Sequence, residues 1–242
     1  MASLEELWLV RHGESVGNIA ATSAEIAGED VIALDIRDAD VPLSDTGIEQ
    51  ARALAAALDG GGAAWQIAWL SPYVRAQQTF ALSMEHVSAP ARVLTDERLR
   101  DRELGILDLL TRRGVLARHP EEAERRARLG KYYHRPPGGE SWADVALRLR
   151  SFLRDAADVD ARTGLVVAHD AVVMLLVSLL TGMDEGQLLQ FAAANTVLNA
   201  SVTRLRVEEG QWRLVDFSDV RHLEQLGAAI TVHPGSPDVR PE

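Results

Sequence analysis

LWLVRHGESVGN, residues 7–18, is the stretch on which the reading of the whole chain turns. An apolar run stops at Arg11 and His12, followed by Gly13, Glu14 and, six residues past the histidine, Asn18. A buried strand needs neither a guanidinium nor an imidazole for its own packing, and burying either is costly without a partner. The pair therefore implies something that arrives at the end of the strand to meet it.

Outward from this stretch, strand-like runs recur at ELWLV (6–10), IAWL (67–70), a weaker ARVL (91–94) and LVVA (165–168). A closing pair follows, NASVTRLRV (199–207) and WRLVDF (212–217), joined around Glu208 to Gly210. Helical patterns lie between the first four. In SDTGIEQARALAAALDG (44–60), Ser44 can cap the start, Ile48, Ala51, Leu54, Ala55 and Leu58 share a face, and Gly60 to Gly62 end the helix. In ESWADVALRLRSFLRD (140–155), Trp142, Val145, Ala146, Leu149, Phe152 and Leu153 make one buried stripe. Alternating strands and helices predict an α/β fold, a three-layer α/β/α sandwich around a mostly parallel sheet with an antiparallel edge. Residues 1–218 read as a single domain, with 19–41 and 106–140 as excursions on the pocket side. Residues 219–242, ending in HPGSPDVRPE, read as a loosely ordered tail.

Composition removes several classes of function. The 242 residues are 47% apolar, enough for a core without metal or disulfide staples. There is no cysteine, which excludes disulfides, cysteine-ligated zinc and a thiolate nucleophile. A net charge of −11 argues against nucleic-acid or anionic-membrane partners, so an anionic ligand must be drawn in by a local cationic cluster. Lys131 is the only lysine, so that cluster is built from arginine. AVVMLLVSLL (171–180) is too short to span a bilayer, and the N-terminus lacks a signal-peptide profile, so a cytoplasmic protein is expected. His86, His119, His134, His222 and His233 show no metal-ligand spacing, and neither metal nor cofactor is expected.

In open parallel sheets ligands bind beyond the carboxyl ends of the strands. The first strand delivers Arg11 and His12 there. The second runs into SPYVRAQQT, where Ser71 can serve as N-cap, Pro72 suits the first turn and Arg75 follows one turn in. LVVA delivers His169 and Asp170. Each alone has a plain structural reading. Together, two arginines and two histidines near helix N-termini suit a phosphoryl group, whose oxygens match arginine forks.

These residues also carry a resemblance. LVRHGES with Asn18, PLSDTGIEQA, SPYVRAQQT, RLRDRELG and VVAHD occur in the order of the motifs of the histidine phosphatase superfamily, the phosphoglycerate-mutase-like fold. The resemblance implies that His12 is the nucleophile of a phosphohistidine intermediate, that Arg11, Arg75 and His169 hold the phosphoryl oxygens, and that Asn18 donates to the same group. His169 would work best protonated. Asp101 aligns with the family's glutamate acid, with Glu103 as the other candidate two residues on. Asp170 departs from the glycine usual after the second histidine, and a carboxylate there should repel phosphate unless it turns away or pairs with an arginine. Glu140 and Ser141 correspond to a GES that frames the pocket, although a plain helix cap accounts for them equally well. Tyr132, Tyr133, His134 and Arg135 are candidates for the leaving-group side, and Arg112 and Arg113 for a substrate carboxylate or a solvated pair. DADV (38–41) imitates an aspartate-nucleophile motif but follows no buried strand.

The expected function is metal-independent hydrolysis of a small phosphorylated metabolite, a phosphomonoester. A phosphoglycerate mutase is the near alternative and a silent phosphate-binding module the distant one. Oligomeric state, a homo-oligomer included, is left open.

Overall fold

Alternate residues of the central strands pack in opposite directions, because successive Cβ atoms point to opposite faces of a strand. In the computed structural model, which describes residues 4–60 and 65–233, Leu7 and Leu9 of β1 (Glu6–Arg11) join Ile67 and Trp69 of β2 (Ile67–Leu70) in one core. Trp8, Val10, Ala68 and Leu70 join a second core on the other face. Strand β3 (Arg92–Thr95) borders β2, and β4 (Thr163–Ala168) lies between β2 and β1. These four strands are parallel. β5 (Val202–Glu208) pairs with β1 antiparallel and β6 (Gln211–Asp219) with β5, giving the sheet order β3-β2-β4-β1-β5-β6. The expected mostly parallel sheet with an antiparallel edge is observed.

The helices are α1 (Val16–Ala27), α2 (Asp45–Gly60), α3 (Val74–Ser83), α4 (Arg112–Arg118) and α5 (Pro120–Tyr133), then α6 (Trp142–Ala157), α7 (Asp170–Thr181), α8 (Glu185–Ala194) and α9 (Arg221–Leu226). The stripe of α6 packs with α7 on one face of the sheet; of its six expected residues only Leu153 is partly exposed. Trp69 meets Phe152 edge-on there, with ring centroids 5.6 Å apart. Leu54 and Leu58 of α2 and Ala76 of α3 cover the other face. Three layers result. No helix among the described residues is long and apolar enough to cross a membrane.

Two segments are more ordered than their sequence suggests. The excursion at 19–41 begins as helix: Ser15 and Asn18 form a capping box and Gly28 ends α1 in the left-handed conformation. The segment expected to be a loose tail is packed as far as residue 233. Leu223 of α9 is buried with Ala53 and Ala200, and Gln50 donates to the Ala229 carbonyl and the Thr231 hydroxyl. An apolar anchor and a buried amide needing acceptors help to hold it. Residues 61–62 of the expected helix stop and residues 234–242 of the tail lie outside the described residues.

Candidate active site

The parallel register brings the strand ends level. Arg11 lies opposite Ala168 and Leu70 opposite Val167, so His12, Ser71 and His169 emerge side by side. Beneath them the backbone is in close contact: a Cβ on Gly13 would lie 2.6 Å from the Gly47 carbonyl oxygen, and one on Gly47 would lie 1.9 Å from that of Glu14. Only glycine permits that approach. It places the helix start DTG directly under RHG, with Ser44 Oγ accepting from Gly47 N–H as the helix cap and donating to Glu14.

His12 is buried, and its tautomer follows from its partners. Nδ1 lies 2.6 Å from the Gly13 carbonyl oxygen, which can only accept, so Nδ1 carries the proton. Nε2 then presents a lone pair, and Arg75 Nε donates to it at 3.3 Å. The two histidine rings approach edge-on with centroids 5.2 Å apart. His169 is fully buried. Its Nε2 sits 2.7 Å from Ser71 Oγ, and its Nδ1 lies 3.3 Å from Asp101 Oδ2 without hydrogen-bond alignment. Serine 71 is thus not the helix cap expected for it. Tyr73 occupies the cap position of α3, and the Ser71 hydroxyl, which accepts from the Tyr73 N–H at 3.3 Å, lies against His169.

The arginines complete the centre. Arg75 is buried, with Nη2 3.1 Å from Asp101 Oδ2, while Asp38 binds Nη1 through its carboxylate at 3.0 Å and its carbonyl at 2.6 Å. Burial works against the charge on Arg75, but Asp38 and Asp101 outweigh it and the guanidinium titrates above its usual range. Arg11 donates to the carbonyls of Val197 and His233. Its Nε is buried with no partner among the described residues. Burial lowers the Arg11 pKa, and the nearby Asp170 and Asp101 carboxylates oppose that shift. The charge of Asp170 thus acts on the Arg11 guanidinium, which offsets part of the repulsion it would bring to an anion. Asn18 accepts from Ser15 N–H and from Asn199 through Oδ1, so both bonds use its oxygen and leave the amide nitrogen as the donor end.

Other candidates fall outside this cluster. Glu103 is exposed and accepts from the Tyr73 hydroxyl at 3.2 Å. Tyr133 stacks edge-on against Tyr132, Arg135 pairs with Asp144, and Ser141 caps α6 in a capping box with Asp144. His134 is buried against Glu122 at 3.0 Å. Glu140 lies behind the loop that carries Asp101, where Arg100 and Arg148 bind it. Arg113 is committed to Asp30. Asp38 is a residue of the cluster that the sequence does not reveal. It belongs to DADV, whose letters imitate a nucleophile motif, and nothing local marks it as an arginine partner.

His12 and His169 both titrate well below 6.5, chiefly because burial penalises the charged ring and then because Arg75 stands beside them. The unfolded chain takes up these protons below about pH 6.5 and the folded chain resists them, so their contribution to stability is intact above that pH and is lost as pH falls through it. As pH falls from about 7.5 to 5.5 the protein should therefore lose stability, read as a lower urea midpoint for the ligand-free protein. A midpoint unchanged over that interval would mean that the folded protein accepts the protons.

A neutral nucleophilic nitrogen, fixed in orientation and flanked by guanidinium donors, is an arrangement that can accept a phosphoryl group. The profile of the histidine phosphatase superfamily (branch 1) matches residues 7–220. A 2,3-bisphosphoglycerate-dependent phosphoglycerate mutase of Methylobacterium radiotolerans is 32% identical over 185 residues, 75% of this chain and 81% of that protein. The structure of a mycobacterial glucosyl-3-phosphoglycerate phosphatase with VO3 superposes with a TM-score of 0.70 at 26% identity, over 89% of this chain and 100% of that one. The α-ribazole phosphatase of Shigella flexneri shares the fold, with a TM-score of 0.71 at 22% identity over 88% and 96% of the two chains. This chain belongs to the histidine phosphatase superfamily.

Proposed function

We propose that the protein hydrolyses a small phosphomonoester, with His12 attacking phosphorus to form phosphohistidine and water releasing phosphate from it. The observation that carries this reading is the His12 ring itself, with Nδ1 held by the Gly13 carbonyl and Nε2 presented beside Arg75. In the in-line transfer Arg11 and Arg75 counter the charge on the equatorial oxygens, Asn18 donates its amide, and His169 adds a donor once the incoming dianion favours its protonation. Asp101, with one oxygen near both Arg75 and His169, protonates the leaving oxygen. The arginines supply the positive charge that a metal ion would otherwise bring, so no metal is required.

Hydrolysis is preferred to mutase chemistry because a mutase must also hold the product's carboxylate while the phosphoryl group returns. Arg113, a candidate for that task, is held by Asp30 and by the Gly28 carbonyl. Incubation with 3-phosphoglycerate, together with a screen of sugar phosphates, nucleotides and phosphopeptides, tests the assignment. Release of inorganic phosphate supports hydrolysis, whereas 2-phosphoglycerate formed without phosphate release overturns it.

Asp38 bears on affinity. Its carboxylate takes donors of Arg75 that a phosphoryl oxygen would need, and its charge opposes a dianion. Asp38→Asn keeps an acceptor and removes the charge, so orthovanadate should bind about tenfold more tightly by calorimetry. Weaker binding would show that Asp38 serves to hold Arg75 in place.

A further inference from the structure

Behind the acid loop lies a charged assembly that has no part in phosphate binding. Arg148, on α6, is about one-tenth exposed and forks onto Glu140, Nε to Oε1 at 3.0 Å and Nη2 to Oε2 at 3.1 Å. The same guanidinium donates to two backbone carbonyls of the loop, that of Arg98 and, at 3.1 Å, that of Asp101 itself. Glu140 grips the loop from the other side. Its Oε2 accepts from Glu103 N–H at 3.2 Å, its Oε1 from Arg100 at 2.8 Å, and its carbonyl from Arg102 Nε at 2.7 Å. Glu140 N–H also donates to the Glu103 carbonyl at 2.9 Å. The backbone is thus held at 98, 101 and 103, on both sides of the Asp101 carboxylate, which lies 3.3 Å from His169.

A loop needs no buried ion pair merely to cross a surface. Removing two charges from water is costly, and replacing such a pair with apolar side chains is often neutral or stabilising. What the planar fork provides is direction, since two fixed carbonyl contacts and a bidentate carboxylate leave the loop little freedom to rotate. An acid must sit within hydrogen-bond reach of the leaving oxygen, and a misplacement of about 1 Å can cost about 10²-fold in rate.

We propose that Arg148 and Glu140 are positioning residues for Asp101: they set the aim of its carboxyl group at the leaving group and thereby decide whether the enzyme can release poorly acidic alcohols. This rests on the phosphatase reading and on Asp101 as the acid. It places the control of leaving-group range in α6 and the turn before it, away from the residues that touch phosphate.

The test compares kcat/KM for an alkyl phosphate (glycerol 2-phosphate) and an aryl phosphate (4-nitrophenyl phosphate) in Arg148→Met, Glu140→Gln and each combined with Asp101→Asn. Arg148→Met should lower the alkyl rate by about 10–10²-fold and the aryl rate by less than about threefold. Glu140→Gln, which keeps its shape and one acceptor, should show a smaller loss with the same selectivity. In the Asp101→Asn background neither change should matter further, because residues acting through one group are not additive. Equal losses on both substrates, or losses that multiply with that of Asp101→Asn, would overturn the proposal and leave Arg148 a structural residue. Should Arg148→Met fail to fold, the Glu140→Gln comparison decides alone. Wild-type protein that cleaves neither substrate, nor any phosphomonoester in the screen above, would instead overturn the phosphatase reading beneath it.

Discussion

Replacing His12 with asparagine should lower turnover by about 10⁴-fold or more, for alkyl and aryl phosphates alike, while orthovanadate still binds. Asparagine can keep the donor to the Gly13 carbonyl, so the turn need not rearrange, but it offers no nitrogen lone pair in place of Nε2. The group contacts of Arg11, Arg75 and Asn18 remain. Binding should therefore weaken modestly while covalent chemistry stops. Rapid mixing of the wild-type protein with a phosphodonor should yield an acid-labile adduct that mass spectrometry places on His12, absent from His12→Asn. An adduct on another residue, or turnover that survives the substitution, would reject His12 as nucleophile. A wild-type protein that binds phosphate and never becomes labelled would be a sensor and not an enzyme.

The fold was legible because the central strands and helices carry strong periodic patterns. IAWL is β2 to the residue, and the α6 stripe is the core of one layer. Patterning of that kind reflects burial, which the sequence encodes position by position. Boundaries near the site were less legible, and Ser71 shows why. Its sequence context is that of a helix cap, yet its hydroxyl is used by His169, 98 positions away in the chain. A tertiary partner overrode the local preference.

The same reason separates the site residues that could be read from those that could not. Arg11, His12 and His169 stand where apolar strands end, so the break in pattern marks them. Asp38 and Arg148 are marked by nothing local. One belongs to a short turn whose letters suggest another motif, and the other is an arginine on a helix that has several. Each acquires meaning only through a distant partner, Asp38 through Arg75 and Arg148 through the carbonyl of Asp101. Likewise, nothing in the composition of residues 229–233 says that the chain returns to the loop that follows His12. There the imidazole of His233 meets Glu14 at 2.8 Å and Thr22 at 2.6 Å.

Substituting Asp101 with asparagine should separate substrates by the basicity of what leaves. An alkoxide needs a proton as the phosphorus–oxygen bond breaks, and a nitrophenolate scarcely does. The alkyl phosphate should slow by about 10²–10⁴-fold and the aryl phosphate by less than about tenfold. Geometry favours Asp101 over Glu103 for this task. Asp101 Oδ2 is 3.1 Å from Arg75 and 3.3 Å from His169, and Oδ1 is anchored by Arg102 N–H at 2.8 Å. Glu103 instead is exposed and bound to the Tyr73 hydroxyl. Side chains two apart on an extended segment share a face, so position in the chain alone does not choose between them. Glu103→Gln is accordingly expected to leave the ratio of alkyl to aryl rates near that of the wild type. If Glu103→Gln and not Asp101→Asn produces the selective loss, the acid is Glu103. The Arg75 contact of Asp101 would then be a structural ion pair, and the clamp formed by Arg148 and Glu140 would lose its catalytic purpose.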